Sequence, residues 1–325
     1  MLKASSALLA AAAVAMTLSC AHAADAQQYP VKPVRLIIAY AAGGGTDTVG
    51  RVFAQKLSEG LGRQVIVDNR PGANGNIATE VAVKSQPDGY TMIMGNIGPI
   101  GVNPHLYKLA FDPLRDLAPV TLIATAPLLV VVHPSLPVNS LKELIALAKR
   151  EPGKLSYSSA GVGSSNHLAG ALFNIEAGVD VVHIPYKGAA PALTDLIAGQ
   201  VQLSFQTLPS VGGNVKSKRL KPLAVTSARR ASTYPEVPTA AEAGLKGFEV
   251  SAWYSILVPA GTPRPIIERL NGEILKALKQ KDVVDRLQTE GAEVAGTSPE
   301  EFGEFMRRET AKWGRVVKLS GMKAD

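Results

Sequence analysis

A strand, a glycine turn and a helix start stand in immediate succession near the beginning of this chain, and that order commits the segment to an α/β layout. The run Val34 to Ile38 reads as a buried strand. Val49, Phe53 and Leu57 then recur at the spacing of one helix face. Between them lies Ala39-Tyr-Ala-Ala-Gly-Gly-Gly-Thr-Asp47. Gly43, Gly44 and Gly45 let the backbone bend sharply and approach a ligand, while Thr46 and Asp47 can cap the helix that follows. The free N–H groups and dipole of such a helix start favour an anion, above all a carboxylate or a phosphate. Nucleotide loops fit poorly: no Lys follows the glycines as GxxxxGK[ST] requires, and Thr48 stands where GxGxxG needs its third glycine. Taken alone, the stretch reads first as a plain strand-to-helix turn with no ligand.

The alternation continues along the chain. A helix is expected from about Thr48 to Leu61, a strand over Gln64 to Asp68, a helix near Asn76 to Ser85 and a strand over Tyr90 to Met94. The third strand opens into Gly95-Asn-Ile-Gly98, and ligands of open α/β sheets sit at the carboxyl ends of strands, so this loop and the first glycine turn can face one pocket. A long extended run, Val120 to His133, is interrupted at Pro127; a second one spans Phe248 to Pro259. Between them lies another alternating set, so the chain is expected to leave a first domain once and return once, with the second domain at about 125 to 250. The C-terminal part is helical. Thr297 or Ser298 with Glu301 is placed for a capping box, and Phe302, Phe305, Met306, Trp313, Val316 and Val317 form an apolar stripe that packs this helix on the core.

The N-terminus reads as an export signal: Lys3, an alanine-dominated run to Leu18, then the small-x-small site Ala21-His-Ala23. Residues 1–23 are therefore expected to be removed and the product released into the periplasm, with lipid attachment at Cys20 as the alternative. Cys20 is the only cysteine, so the exported part has neither disulfide nor thiol. The 34 basic against 27 acidic residues give a formal charge of +7 spread along the chain. Its short basic clusters lack interleaved aromatics, which argues against nucleic acid but leaves a field that gathers small anions.

A second loop, Ser158-Ser-Ala-Gly-Val-Gly-Ser-Ser-Asn-His167, again joins a strand to a helix and is rich in hydroxyls and an amide. It can surround an oxyanion with neutral donors. Catalytic patterns are weak throughout. An esterase would want GxSxG, which Gly163-Ser-Ser-Asn-His167 does not complete, and an α/β hydrolase or transferase using Ser165 or His183 is the rival reading. None of the histidines left after export, His105, His133, His167 and His183, has a close histidine or cysteine partner in sequence, so neither a metal nor a cofactor is expected, and no catalytic residue is assigned.

Nine ordered blocks resemble the substrate-binding proteins of tripartite tricarboxylate transporters, the Bug receptors. They are Gly43-Gly-Gly-Thr-Asp47, Asn69-Arg-Pro-Gly-Ala73, Pro87-Asp-Gly-Tyr-Thr91, Asn103-Pro-His-Leu-Tyr107, Gly163-Ser-Ser-Asn-His-Leu-Ala-Gly170, Pro185-Tyr-Lys-Gly188, Leu223-Ala-Val-Thr-Ser227, Pro238-Thr-Ala-Ala-Glu-Ala-Gly244 and Pro259-Ala-Gly-Thr-Pro263. The resemblance implies a two-lobed periplasmic binding protein of α/β class, type II-like, each lobe a mainly parallel sheet flanked by helices with the ligand cleft between them. Residues 24–124 with 251–325 would form lobe 1 and 125–250 lobe 2. It further implies a monomeric, non-enzymatic receptor that takes a small organic acid to the membrane subunits of its transporter. Carried over by motif, the ligand would meet Tyr40, Ala41, Gly44, Thr46 and Asp47, then Asn96 and Gly98, and across the cleft Ser159, Gly163, Ser164, Ser165 and Asn166. Tyr40 and Ala42 stand where the family often has Phe and Pro, and Ser210-Val-Gly-Gly-Asn214 departs from its commoner proline-histidine loop. Larger residues near the lobe interface, Tyr40, Tyr186, Gln206 and Trp253, are the candidates for the wall that chooses ligand identity.

Overall fold

The computed structural model describes residues 29–40, 42, 45–186, 189–289 and 291–324. The export signal, Cys20, Ala41, Gly43 and Gly44 lie outside these residues. Among the described residues ten strands join into one continuous sheet: β1 Val34–Ile38, β2 Val65–Asn69, β3 Thr91–Gly95, β4 Leu117–Val132, β5 Ser156–Ser159, β6 Val182–Pro185, β7 Leu203–Thr207, β8 Lys221–Val225, β9 Ser251–Pro259 and β10 Glu293–Val294. The main helices are α1 Gly45–Leu61, α2 Asn76–Val83, α3 Leu141–Arg150, α4 Ser165–Ala177, α5 Ala189–Ile197, α6 Leu208–Lys216, α7 Arg264–Ala277, α8 Lys281–Thr289 and α9 Pro299–Ser320.

The strand order is β2-β1-β3-β9-β4-β7-β5-β6, with β8 and β10 also pairing β4. β1 runs parallel to β2 and β3, and β5 parallel to β6 and β7, as strands joined by helical crossovers do. The long β4 and β9 are antiparallel to their neighbours and weld the two parallel sets together. β4 has 16 residues, and at a rise of about 3.3 Å each a strand of that length reaches roughly 50 Å, enough to serve both halves of the sheet. Its residues Leu117 to Pro127 pair with β9, Leu128 to Val132 pair with β7, and Leu129 to Val132 pair with β8. Pro127, expected to interrupt the run, instead stands inside it where the partners change. A proline donates no N–H to a ladder, and its place at this boundary costs little.

Two further elements differ from the sequence reading. Ser210-Val-Gly-Gly-Asn214 lies inside α6 rather than in a loop, because Pro209 occupies a first-turn position where its missing N–H is harmless. β10 adds a two-residue antiparallel pairing, Glu293 with Thr125 and Val294 with Ala124, too short to give a periodic signal.

The C-terminal helix α9 begins with the expected capping box, Ser298 accepting from Glu301 N–H while the Glu301 carboxylate accepts from Ser298 N–H. Phe302, Met306, Trp313, Val316 and Val317 are buried. This stripe covers both the turn Ile97–Val102 of the first strand set and α4 of the second, so α9 braces the two halves from behind. His105 Nε2 lies 2.8 Å from the Thr310 carbonyl, fixing the helix to the segment that follows that turn.

Candidate functional site

β1 delivers Tyr40 to the carboxyl end of the sheet, two residues beyond its last strand residue, and α1 starts at Gly45. Asp47, in the first turn of α1 and 3% exposed, accepts from Asn69 Nδ2 at 2.9 Å and from Arg51 Nε at 2.9 Å. The same Asn69 amide donates to the Tyr40 carbonyl at 2.9 Å. Asp47 and Asn69 thus tie the two ends of the glycine turn together. Thr46 sits beside Asp47 in that first turn, half-buried.

Tyr40 connects this turn to the next loop, its hydroxyl donating to Asn96 Oδ1 at 3.1 Å. Burial pushes the phenol up to about 12, against a downward pull from the Asn96 bond and a further push from Tyr254, so Tyr40 remains a neutral donor. Asn96 is 7% exposed and Gly98 follows it in the turn Ile97–Val102. A Cβ on Gly98 would lie 3.3 Å from the Tyr40 hydroxyl and 3.3 Å from Asn74 Nδ2, so three segments meet at this one point. Asn74 comes from the turn between β2 and α2 and was not among the expected site residues. The only sequence signal for it was the cluster Asn69-Arg-Pro-Gly-Ala-Asn-Gly75, which reads as any loop does.

The loop after β5 faces the same point from the second strand set. Gly163, at φ +74, would place a Cβ 2.9 Å from Asn74 Nδ2. Ser164 caps α4 by accepting from His167 N–H at 3.3 Å, which leaves the N–H groups of Ser165 and Asn166 in the first turn of that helix. Asn166 is directed inward: it is 5% exposed and its amide donates to the Phe205 carbonyl, pinning α4 to β7.

Behind the loop, Ser159 is fully buried; its Oγ lies 2.6 Å from His183 Nε2 and accepts from Gly161 N–H at 3.1 Å. His183 in turn stacks on His167 with ring centroids 3.7 Å apart and planes 6° apart. Gly163 N–H donates to His167 Nδ1 at 3.2 Å, so that nitrogen is unprotonated. Burial, with the neighbouring His183 adding to it, pulls His167 down to about 3. Ser159 and His183 have the spacing of a nucleophile and base, but a hydroxyl with no exposed surface cannot reach a substrate. The pair instead sets the shape of the loop. Of the two residues that the rival hydrolase reading named, His183 is engaged by Ser159 and by the stack on His167, and Ser165 stands in the first turn of α4.

The candidates for the wall are spread out. Tyr186 lies at the end of β6 with its N–H on the Ser159 carbonyl at 3.0 Å, next to the loop, while its hydroxyl donates to Asp195 Oδ2 at 2.7 Å. Burial first, then that bond and the Asp195 charge, push its phenol up to about 12. Gln206 is 1% exposed, its Nε2 donating to Ser204 Oγ at 2.9 Å and its Oε1 3.4 Å from Asn166 Nδ2, so its amide is engaged within the second set. Trp253 does not stand on a wall. It is 1% exposed and packs edge-on against Phe302 and Phe305 of α9, because a side chain of β9 that points to that face meets the apolar stripe of the helix.

Comparison with known proteins places this geometry. The family of receptors described as "Tripartite tricarboxylate transporter family receptor" matches residues 49–322. The solved structure of R. palustris Rpa4515 with adipate superposes at a TM-score of 0.80 with 37% identity, covering 91% of this chain and 99% of that one. The periplasmic binding protein BugD gives 0.77 with 34% identity over 91% and 100% of the two chains. MatC from Rhodopseudomonas palustris with bound malate gives 0.78 with 33% identity over 89% and 100%. A family match over most of the chain, a shared two-lobed fold and a buried serine where catalysis would need an open one lead to one conclusion: the chain belongs to the tripartite tricarboxylate transporter receptor family, with the Bug proteins, and is a periplasmic solute-binding receptor rather than an enzyme.

Proposed function

We propose that this receptor captures a mono-, di- or tricarboxylate between its lobes and delivers it to a membrane transporter of the tripartite tricarboxylate type. One observation carries the reading: Tyr40 at the end of β1, the Asn96–Gly98 loop and the loop that leads into the capped start of α4 converge on one point, with Gly98 and Gly163 both against Asn74. Helix starts and neutral hydroxyl or amide donors on both sides suit a carboxylate. The similar proteins with adipate and malate support the same ligand class.

The lobes we assign are 24–124 with 251–325, and 125–250. The change of β4 partners between Pro127 and Leu128 and the start of β9 at Ser251 support those bounds. The export signal at 1–23 and a monomeric state complete the proposal, the former supported by the Ala21-His-Ala23 site.

Thermal-shift screening of carboxylic acids against their amides tests it. A ligand that binds only the folded protein stabilises it by about 2.7 kcal/mol at a hundredfold excess over Kd. Acids are expected to raise the melting temperature and amides to leave it unchanged. Equal shifts from both would sink the carboxylate reading.

A further inference from the structure

We propose that Asn74 is a ligand-contacting and closure residue of the cleft, a donor from a third loop that bridges the lobes over the bound anion. This inference rests on the carboxylate reading above and deepens it. The segment that carries Asn74 has four consecutive positive φ angles, Gly72 at 127°, Ala73 at 46°, Asn74 at 49° and Gly75 at 91°. Non-glycine residues rarely adopt such values, and they persist where surrounding contacts over-determine them.

Here those contacts are specific. Asn103 is fully buried, donates through Nδ2 to the Asn74 carbonyl at 3.0 Å and to Asn76 Oδ1 at 2.6 Å, and accepts from Asn74 Nδ2 at 3.0 Å. The buried amide therefore fixes both the backbone and the side chain of Asn74. The side chain it fixes lies between two glycines that belong to different lobes. A Cβ on Gly98 would meet Nδ2 at 3.3 Å and Oδ1 at 3.4 Å, and one on Gly163 would meet Nδ2 at 2.9 Å. Both positions are kept free of side chains at the spot where the Asn74 amide stands.

An amide nitrogen carries two hydrogens, and Asn103 takes one. The second stays beside the two anion loops, where a carboxylate oxygen or a ligand hydroxyl can accept it. Contact with Gly163 ties that bond to closure, because moving the lobes apart removes the α4 loop from Asn74. A neutral donor clamped in place loses little freedom on binding, which is how a preorganised contact contributes affinity.

Two variants of the full-length mature protein test the assignment by calorimetry and stopped-flow. Asn74→Gly keeps the left-handed backbone and removes the amide; Asn74→Asp keeps the shape and places a carboxylate where the donor stood. Adipate, malate and every acid that stabilises the parent in the thermal screen serve as probes. We expect Asn74→Gly to weaken binding about tenfold, mostly through faster release, and Asn74→Asp to weaken it further by charge repulsion. Asn74→Gly also leaves the buried Asn103 Oδ1 without its donor, so its ligand-free melting temperature should fall, and the contact with ligand is read instead from the release rate and from the gap in affinity between Asn74→Gly and Asn74→Asp. If the parent binds acids and both variants keep Kd within about threefold, Asn74 does not touch the ligand and this inference is overturned while the carboxylate reading stands. If Asn74→Asp binds as well as Asn74→Gly, the donor role is wrong. Should Asn74→Asp fail to fold, the affinity and release rate of Asn74→Gly decide the matter. A parent that responds to no acid removes both proposals together.

Discussion

Gly170, inside α4, has no left-handed angle and no ligand to explain it; the reason is Tyr157. A Cβ there would fall 2.1 Å from the Tyr157 ring, which is 2% exposed and held between His183, stacked at 5.0 Å, and Phe205, edge-on at 5.7 Å. Glycine to alanine in a helix normally gains up to about 1 kcal/mol. In this case the ring cannot retreat, so Gly170→Ala should instead lower stability by about 1–3 kcal/mol, read from the urea midpoint at unchanged slope. His167 supplies a second residue-scale prediction. Its folded pKa is depressed from 6.5 to about 3, so the unfolded chain binds a proton that the folded one refuses. Stability is then fully present above the unfolded value and falls as pH drops from 6.5 toward 3, with a slope of up to about 1.4 kcal/mol per pH unit. Paired carboxylates such as Asp68, Asp116 and Glu242 are held below their usual range and lose stability only at lower pH. Urea titrations between pH 5 and 6.5 isolate the histidine, and His167→Gln should flatten the slope there. An unchanged slope would mean that another group carries it.

At the scale of the element, caps and turns behave as local chemistry dictates. Ser140, Ser164 and Ser298 each accept from a backbone N–H at the start of their helices, and Gly178 and Gly321 end α4 and α9 in the left-handed conformation. Ser298 stands out because its helix braces both halves of the sheet. Ser298→Ala should cost about 1 kcal/mol and loosen that brace, and amide exchange should rise first in the opening turn of α9. If exchange rises uniformly along the chain instead, α9 is not a separable unit. The extended strand β4 is the other element that matters globally, since its partner change at Pro127 sets where the two strand sets meet.

For the whole molecule, the proposed capture between lobes predicts closure. Two strand sets share β4, pass through β9 and are backed by α9, while their loops meet at Gly98, Asn74 and Gly163. Ligand that contacts both sides shifts the population toward the closed arrangement by its differential affinity for that state. Small-angle X-ray scattering should record a smaller radius of gyration when a stabilising acid is added. A thermal shift without any contraction would show that binding occurs on one lobe alone.

Much of this protein was legible in the chain because it depends on near neighbours. The strand Val34–Ile38, the helix Gly45–Leu61, the capping box at Ser298 and the apolar stripe of α9 all follow from periodicity and backbone chemistry that act within a few residues. The helix starts that follow β1 and β5 were legible for the same reason. What stayed hidden depends on contacts between distant segments. Asn74 reads as an ordinary turn residue until Asn103 clamps it between Gly98 and Gly163, and Trp253 reads as a possible wall until α9 covers it. Gln206 and Ser159 carry polar groups suited to a ligand, but Ser204 and Asn166 engage the one and His183 the other. A sequence names its donors and acceptors; which of them face one another, and which are already engaged, is settled only when the folded chain brings segments far apart in sequence within hydrogen-bonding distance.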